Sequence, residues 1–358
     1  MDIVLPRIVT HIASTKDYTL LFDKCNTFFI FFSKLFLFMV KYLRSSNNKT
    51  CFISFTIRFI LKHLSYSSNK INVFGNIIIA YYWTTLINTS NISNKLAITN
   101  QRRDNMKTLQ NKVAIITGGG RGIGFGLAKA FAKAGANLVI TGRNRNTLHN
   151  AKEKLESQYQ INVLCIPADG ANEDDVNNVI NKTIKYYGKI NIVVNNAQAS
   201  KSGVMLKDHT KEDFDLAINS GLYATFFYMR AAYPYLKESH GSVINFASGA
   251  GLFGKLGQSS YAAAKEGIRG LSRVAAAEWG PDNINVNVIC PLAMTEGLTK
   301  WKEEYPDLYE KTIQGIPMQR FADPENDIGS AAVFFASEAG HYITGETMTI
   351  QGGSGLRP

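Results

Sequence analysis

Residues 1–105 contain one glycine, Gly75, one proline, Pro6, and no glutamate at all. A segment so poor in turn formers does not read as an ordinary compact domain. The whole chain holds four cysteines, Cys25, Cys51, Cys165 and Cys290, with no CxxC spacing among them. That argues against a disulfide framework and against the common zinc patterns, and for a reducing, cytoplasmic setting. The six histidines are scattered and form no HExxH pair, so no protein metal site is expected.

Charge divides the chain in the same place. Residues 1–105 carry thirteen Lys/Arg against four Asp/Glu, a net of +9 out of +11 for the full 358 residues. The remainder, 106–358, has the balance of an ordinary soluble domain. The basic excess lies outside it, so no nucleic-acid partner is expected.

Two apolar runs stand out in the first region, FFIFFSKLFLFMV at 28–40 and INVFGNIIIAYYWTTLI at 71–87. A spanning helix takes about 20 mostly apolar residues. The first run is short and carries Lys34, a charge that costs about 3 kcal/mol at a bilayer centre. The second is a fair candidate weakened by Asn72 and Asn76. A cleaved secretory signal fits poorly, because no short basic stretch leads directly into an apolar core. Two readings stand: an upstream extension absent from a working protein that starts at Met106, or a membrane anchor. Either way the expected organisation is an N-terminal extension, 1–105, and one folded domain, 106–358.

In that domain apolar runs alternate with helical spacing. VAIIT, NLVIT, NVLCIP, INIVVNN, SVINFA, INVNVIC and TMTI read as strands, with helices expected around 173–187, 211–235, 260–279, 296–313 and 324–337. Strands that are apolar throughout and separated by helices imply a parallel sheet covered on both faces. The expected fold is an α/β, Rossmann-type doubly wound sheet of about seven strands, with ligand sites at the strand carboxyl ends.

The motifs fall at such ends. TGGGRGIG joins the first strand to the first helix, where Gly118, Gly122 and Gly124 leave the backbone bare for a tight turn and a close pyrophosphate. A carboxylate about 20 residues further on would grip the ribose of NAD. Arg143 stands in that neighbourhood instead, and Arg121 in the loop adds a second cation. Guanidinium groups suit a 2′-phosphate, so NADP is favoured over NAD.

Further along, FASGAGLFGKLGQSSYAAAKEG places Ser248 at the end of a strand and Tyr261 four residues before Lys265. Positions i and i+4 share one helix face. With 16 tyrosines in the chain, a Tyr-xxx-Lys spacing is expected about once by chance. Joined to Ser248 and the glycine loop it becomes specific. Reducing a carbonyl with a hydride leaves an alkoxide that needs a proton, and an ordinary phenol, which ionises near pH ~10, exchanges it poorly at neutral pH. A nearby ammonium is expected to lower that value. Lys265 would tune, Tyr261 would be the general acid or base, and Ser248 would orient the substrate oxygen.

These residues resemble the short-chain dehydrogenase/reductase family over essentially all of 106–353. TGGGRGIG, NNAQ, Asn219 in LAINSG, Ser248, YAAAK, CPLAMT and ITGETMTIQGG stand in the family's order. The resemblance implies that Lys265 also binds the nicotinamide ribose, with Tyr261 beside it, and that Asn219 holds a water linking Lys265 to solvent. It further implies that Ile123 joins the loop glycines at the cofactor, that Asp169 meets the adenine, that Asn196 and Pro291 border the cofactor, and that Thr295 contacts its carboxamide. A homodimer or homotetramer is implied as well, pairing through the helices 211–235 and 260–279.

Three positions depart from the family pattern: Gln198 and Leu292 replace glycines, and Gln351 replaces an aspartate. None removes a proton-transfer group. The segment 292–318 is expected to be a lid in which Met294, Leu298, Trp301, Tyr305 and Tyr309 either cover the substrate or pack the lid onto its own domain. With Leu252, Phe253 and Leu256 they favour an apolar ketone or secondary alcohol, of hydroxysteroid type. The rival enzyme is a 3-oxoacyl carrier-protein reductase, against which Glu278 stands where a docking arginine is wanted. A non-catalytic cofactor-binding regulator is the alternative from another class, opposed by the intact Ser248, Tyr261, Lys265 and Asn219 set.

Overall fold

The computed structural model describes residues 107–355, within the second of two units, Asn100–Pro358. The two readings of 1–105 fall outside the described residues. Among those described, no helix is long and apolar enough to cross a membrane.

Seven strands form one parallel sheet in the order β3-β2-β1-β4-β5-β6-β7. They are β1 Val113–Thr117, β2 Asn137–Gly142, β3 Val163–Pro167, β4 Ile192–Asn195, β5 Ser242–Phe246, β6 Asn285–Pro291 and β7 Thr347–Ile350. Alternation along β1 shows why such strands are apolar at every position. Ala114 and Ile116 pack beneath α1 (Gly122–Lys133), α2 (Arg145–Gln158) and α10 (Ser330–Ala336). Val113 and Ile115 pack on the other face, against α3 (Glu173–Tyr187), α5 (Ala224–Ser239) and α7 (Ser259–Trp279). A side chain pointing either way enters a core.

The chain winds outward from β1 to β3, then crosses back to β4 on the other side of β1. That reversal opens a crevice above the carboxyl ends of β1 and β4. The expected helix 211–235 is present as α4 (Lys211–Ala217) and α5, joined by a π-helical stretch, Ile218–Tyr223. The helix around 324–337 likewise begins with a π-helical turn, Pro324–Gly329, ahead of α10. That turn lies close on α1: a Cβ at Gly126 would come within 2.4 Å of Pro324. The excursion 296–313 is two helices, α8 (Glu296–Glu304) and α9 (Pro306–Gln314). Tyr305 precedes a proline, which disfavours helical backbone, and sits at φ −135° and ψ 64°. The stop expected at Gly280-Pro281 holds, since α7 gives way there to a single 3₁₀ turn.

Candidate active site

At the first crossover Gly118 and Gly122 adopt φ of 67° and 54°, the left-handed region where a side chain is strained. Gly124 is required by space: a Cβ there would lie 2.1 Å from the Gly118 carbonyl oxygen. Arg121 precedes α1 in extended conformation and offers no side-chain cap to the first amides of the helix. Asn196 ties the end of β4 to this loop. Its backbone N–H donates to Thr117 Oγ1 at 2.9 Å and its Nδ2 to the Thr117 carbonyl at 2.9 Å.

A cleft of about 500 Å³ runs across these ends. Gly118, Arg121, Gly122, Ile123 and Gly124 line its centre, and Arg143 and Asp169 lie on the side of β2 and β3. Asn196 and Thr295 line it as well, Asn196 at the end of β4. Asp169 is held by an N–H bond to Asp175 at 2.8 Å while its own Oδ1 accepts from Ala171 at 3.1 Å. Thr295 caps α8, accepting from the Leu298 amide at 3.4 Å. Pro291 ends β6, four residues before Thr295. Two buried acceptors along the cleft, Asn195 Oδ1 and Gln198 Oε1, have no hydrogen-bond partner. Bare backbone and two guanidinium groups fit a phosphorylated dinucleotide.

Ser248, Tyr261 and Lys265 meet just beyond β5. Ser248 caps α6 (Gly249–Phe253), accepting from Ala250 N–H at 3.1 Å. Tyr261 stands in the first turn of α7, where the nearby Ser248 hydroxyl favours its phenolate. Lys265, one turn later, is only 3% exposed, with Nζ 5.5 Å from the Tyr261 ring centre.

The expected electrostatics needs correcting here. Burial raises the Tyr261 pKa above 10.0, the Ser248 hydroxyl opposes the shift, and Cys290 raises it further. The Lys265 ammonium turns to the Phe246 carbonyl instead, donating at 2.6 Å. Burial pushes the pKa of Lys265 down to about 7, with Cys290 opposing. Desolvation disfavours the charged form of both groups.

Asn219 lies on the π-helical stretch, exposed to solvent and outside the lining of the cleft. Its neighbour Ser220 lines the cleft instead, accepting from the Ala199 N–H at 3.0 Å and lying 2.9 Å from its carbonyl. Sequence reasoning also missed His209, whose two ring nitrogens bond Ser260 at 2.8 Å and Ser259 at 3.2 Å. The histidine thereby holds the segment after β4 to the start of α7. About fifty residues separate these partners, and no local pattern announces them.

After Ser248, Phe253 and Leu256 are 52% and 81% exposed, whereas Leu252 packs on Ala247, Val288 and Cys290. Tyr309, Ile313, Ile316 and Phe321 give the lid a small core of its own, with Met294, Leu298 and Trp301 against it. Of the residues expected to cover the substrate, Tyr305 is thus the one left exposed. Gln351 is buried behind the Ser248 turn, where a Cβ at Gly249 would meet its Nε2 at 2.6 Å.

A family model described as enoyl-(acyl carrier protein) reductase, of the short-chain dehydrogenase type, matches residues 118–354. The chain is 60% identical over 259 residues to a 12α-hydroxysteroid dehydrogenase of a Clostridium species, covering 71% of this chain and 100% of that protein. It is 37% identical over 246 residues to a 3-oxoacyl-[acyl-carrier-protein] reductase of Chlamydia muridarum, covering 68% and 98%. A solved chain described as a short-chain alcohol dehydrogenase of Sinorhizobium meliloti superposes with a TM-score of 0.65 at 30% identity, covering 70% and 98%. The chain belongs to the short-chain dehydrogenase/reductase family. It is an oxidoreductase acting on CH–OH groups, with the binding fold for a nicotinamide dinucleotide.

Proposed function

We propose that this chain is an NADP(H)-dependent dehydrogenase interconverting a ketone and a secondary alcohol on an apolar, ring-containing substrate of the hydroxysteroid kind. The observation that carries the proposal is the junction of Ser248, Tyr261 and Lys265 beyond β5, where α7 begins. The 60% identity to an enzyme named for a 12α-hydroxysteroid supports the substrate class, as does the exposed apolar surface of Phe253 and Leu256. Arg121 and Arg143 on the cleft, with no carboxylate at the end of β2, support NADP over NAD.

NADP(H), when bound, supplies or accepts the hydride. Ser248 holds the substrate oxygen by its hydroxyl. Tyr261 gives that oxygen its phenolic proton in reduction and takes a proton back in oxidation. Burial keeps the phenol protonated at neutral pH, the form that donates. Lys265 offsets the phenolate charge after the proton leaves and is assigned the ribose hydroxyls together with Tyr261. Asn219, exposed beside α5, is assigned the water that links Lys265 to solvent. Gly118, Gly122, Ile123 and Gly124 are assigned the pyrophosphate, Asp169 the adenine, Asn196 and Pro291 the border of the cofactor, and Thr295 its carboxamide.

The catalytic domain is assigned to 106–358, acting in the cytoplasm as a homodimer or homotetramer. A 3-oxoacyl carrier-protein reductase is the second reading, supported by the Chlamydia relative and opposed by exposed Glu278 near the end of α7. A panel of steroid ketones, simple ketones and acyl thioesters with NADPH and NADH, read at the cofactor's absorbance, separates the two, with Tyr261→Phe as the blank. Turnover of steroid ketones is the expected result. Turnover confined to acyl thioesters would replace the substrate assignment, and turnover undiminished in Tyr261→Phe would remove the mechanism.

A further inference from the structure

We propose that His209 is a positioning residue for the proton-transferring phenol: its imidazole pins Ser259 and Ser260, the two residues before Tyr261, and thereby fixes where Tyr261 stands against Ser248. The inference rests on the role given to Tyr261 above.

The chain between the two groups does not by itself fix their separation. From Gly249 to Gln258 it carries four glycines, and Gly254 and Gly257 adopt left-handed φ of 65° and 68°. Glycine leaves such a segment many backbone states. Nor does the helix secure its own start. Its N-cap, Gln258, makes no side-chain bond to the first amides of α7, and its Oε1 accepts from Ser202 at 3.3 Å instead. Tyr261 is the third residue of that turn, where an uncapped helix frays.

Contacts with the segment after β4 take over. The Gly203 N–H donates to the Gly257 carbonyl at 2.8 Å, and Val204 bridges Gln258 as a parallel neighbour. Bare backbones allow that approach, since a Cβ at Gly257 would lie 3.0 Å from Gly203 Cα. His209 carries the connection onto the helix itself, with Nε2 2.8 Å from Ser260 Oγ and Nδ1 3.2 Å from Ser259 Oγ. A neutral ring has one donor and one acceptor, and a hydroxyl supplies whichever is wanted, so both bonds form in either tautomer. Ser260 is fully buried, and a buried hydroxyl costs free energy unless it is bonded. The ring also starts from an anchored backbone. A 3₁₀ turn, Leu206–Asp208, precedes it, and Thr210 after it caps α4 by accepting from the Asp213 N–H at 3.2 Å.

The test is steady-state reduction by NADPH of a 12-oxo steroid, or of an acyl thioester if that is what turns over, assayed well below the unfolding midpoint. His209→Leu removes both bonds and is expected to lower kcat about tenfold while KM for NADPH stays at the wild-type value. It is also expected to lower the unfolding midpoint, because the Ser260 hydroxyl is left buried without a partner. Adding Ser260→Ala removes that hydroxyl, so the midpoint should recover while kcat stays low. His209→Gln, whose amide offers both a donor and an acceptor, is expected to regain most of the lost kcat. Unchanged kcat in His209→Leu overturns the inference, and so does a kcat that recovers with the midpoint in the double variant. A glutamine variant as slow as the leucine one would assign the effect to the shape of the ring and overturn it too. Tyr261→Phe separates the two levels. Undiminished turnover there removes the mechanism and this inference with it, whereas an inactive Tyr261→Phe beside an unaffected His209→Leu removes this inference alone.

Discussion

Along the β1–α1 turn a Cβ at Gly124 would sit 2.1 Å from a carbonyl oxygen, whereas beyond β5 the Leu256 side chain stands 81% exposed. The first wall is made of backbone, with left-handed glycine angles and a helix start that no side chain caps. The second is made of side chains: Phe253, Leu256 and Tyr305 are exposed, and the segment 292–318 that carries Tyr305 has its own small core. Backbone recognition suits a ligand whose shape never varies, because a glycine turn tolerates no substitution. Side-chain recognition suits a ligand that differs between relatives, because an exposed leucine is exchanged without disturbing the sheet. Between the two walls, Lys265 is buried in the protein interior.

That contrast is open to attack at four points. Lys265→Met is expected to lower turnover about 1,000-fold, measured as kcat on a ketone substrate. The same variant tests the pKa. A lysine depressed to about 7 binds a proton less readily in the folded chain than in the unfolded one, where 10.5 applies. The buried charge therefore weakens the fold below pH 7, and the penalty is relieved as the pH rises from about 7 toward 10.5. The variant's gain in unfolding midpoint over wild type is expected to be greatest at acid pH and to shrink across that window. A constant difference would contradict the buried cation.

Gly124→Ala attacks the backbone wall and is expected to weaken dinucleotide binding about 100-fold by calorimetry. Wild-type affinity there would mean that the loop shifts freely. Arg143→Asp is expected to shift the ratio of NADP to NAD affinities about tenfold toward NAD, since a guanidinium is exchanged for a carboxylate. The smallest effect is expected at the other wall. Leu256→Ser should raise KM for an apolar ketone about threefold while the binary affinity for NADPH stays at the wild-type value. If cofactor binding fell along with it, the two walls would not be separable.

Much of the cofactor end is legible in the sequence. Glycine spacing, an arginine at the end of β2 and a serine at the end of β5 are local patterns, and the sheet brings them to one rim. The helix carrying Tyr261 and Lys265 is also legible, as is its stop at Gly280. The π-helical stretch at Ile218–Tyr223 is not, because helical periodicity over a long segment does not register one widened turn. Nor is the lid, whose aromatic residues have the pattern of a cover but in part pack on one another.

Spacing along the chain sufficed to place the phenol and the ammonium on one helix face and the glycines between a strand and a helix, since both depend on neighbours a few residues apart. Where the ammonium points, which way burial moves the two pKa values, and what lies against His209 were settled by segments distant in the sequence. Desolvation and hydrogen-bond partnership arise from the surroundings of a folded atom, and those surroundings exist only once β5, α5 and α7 have packed together.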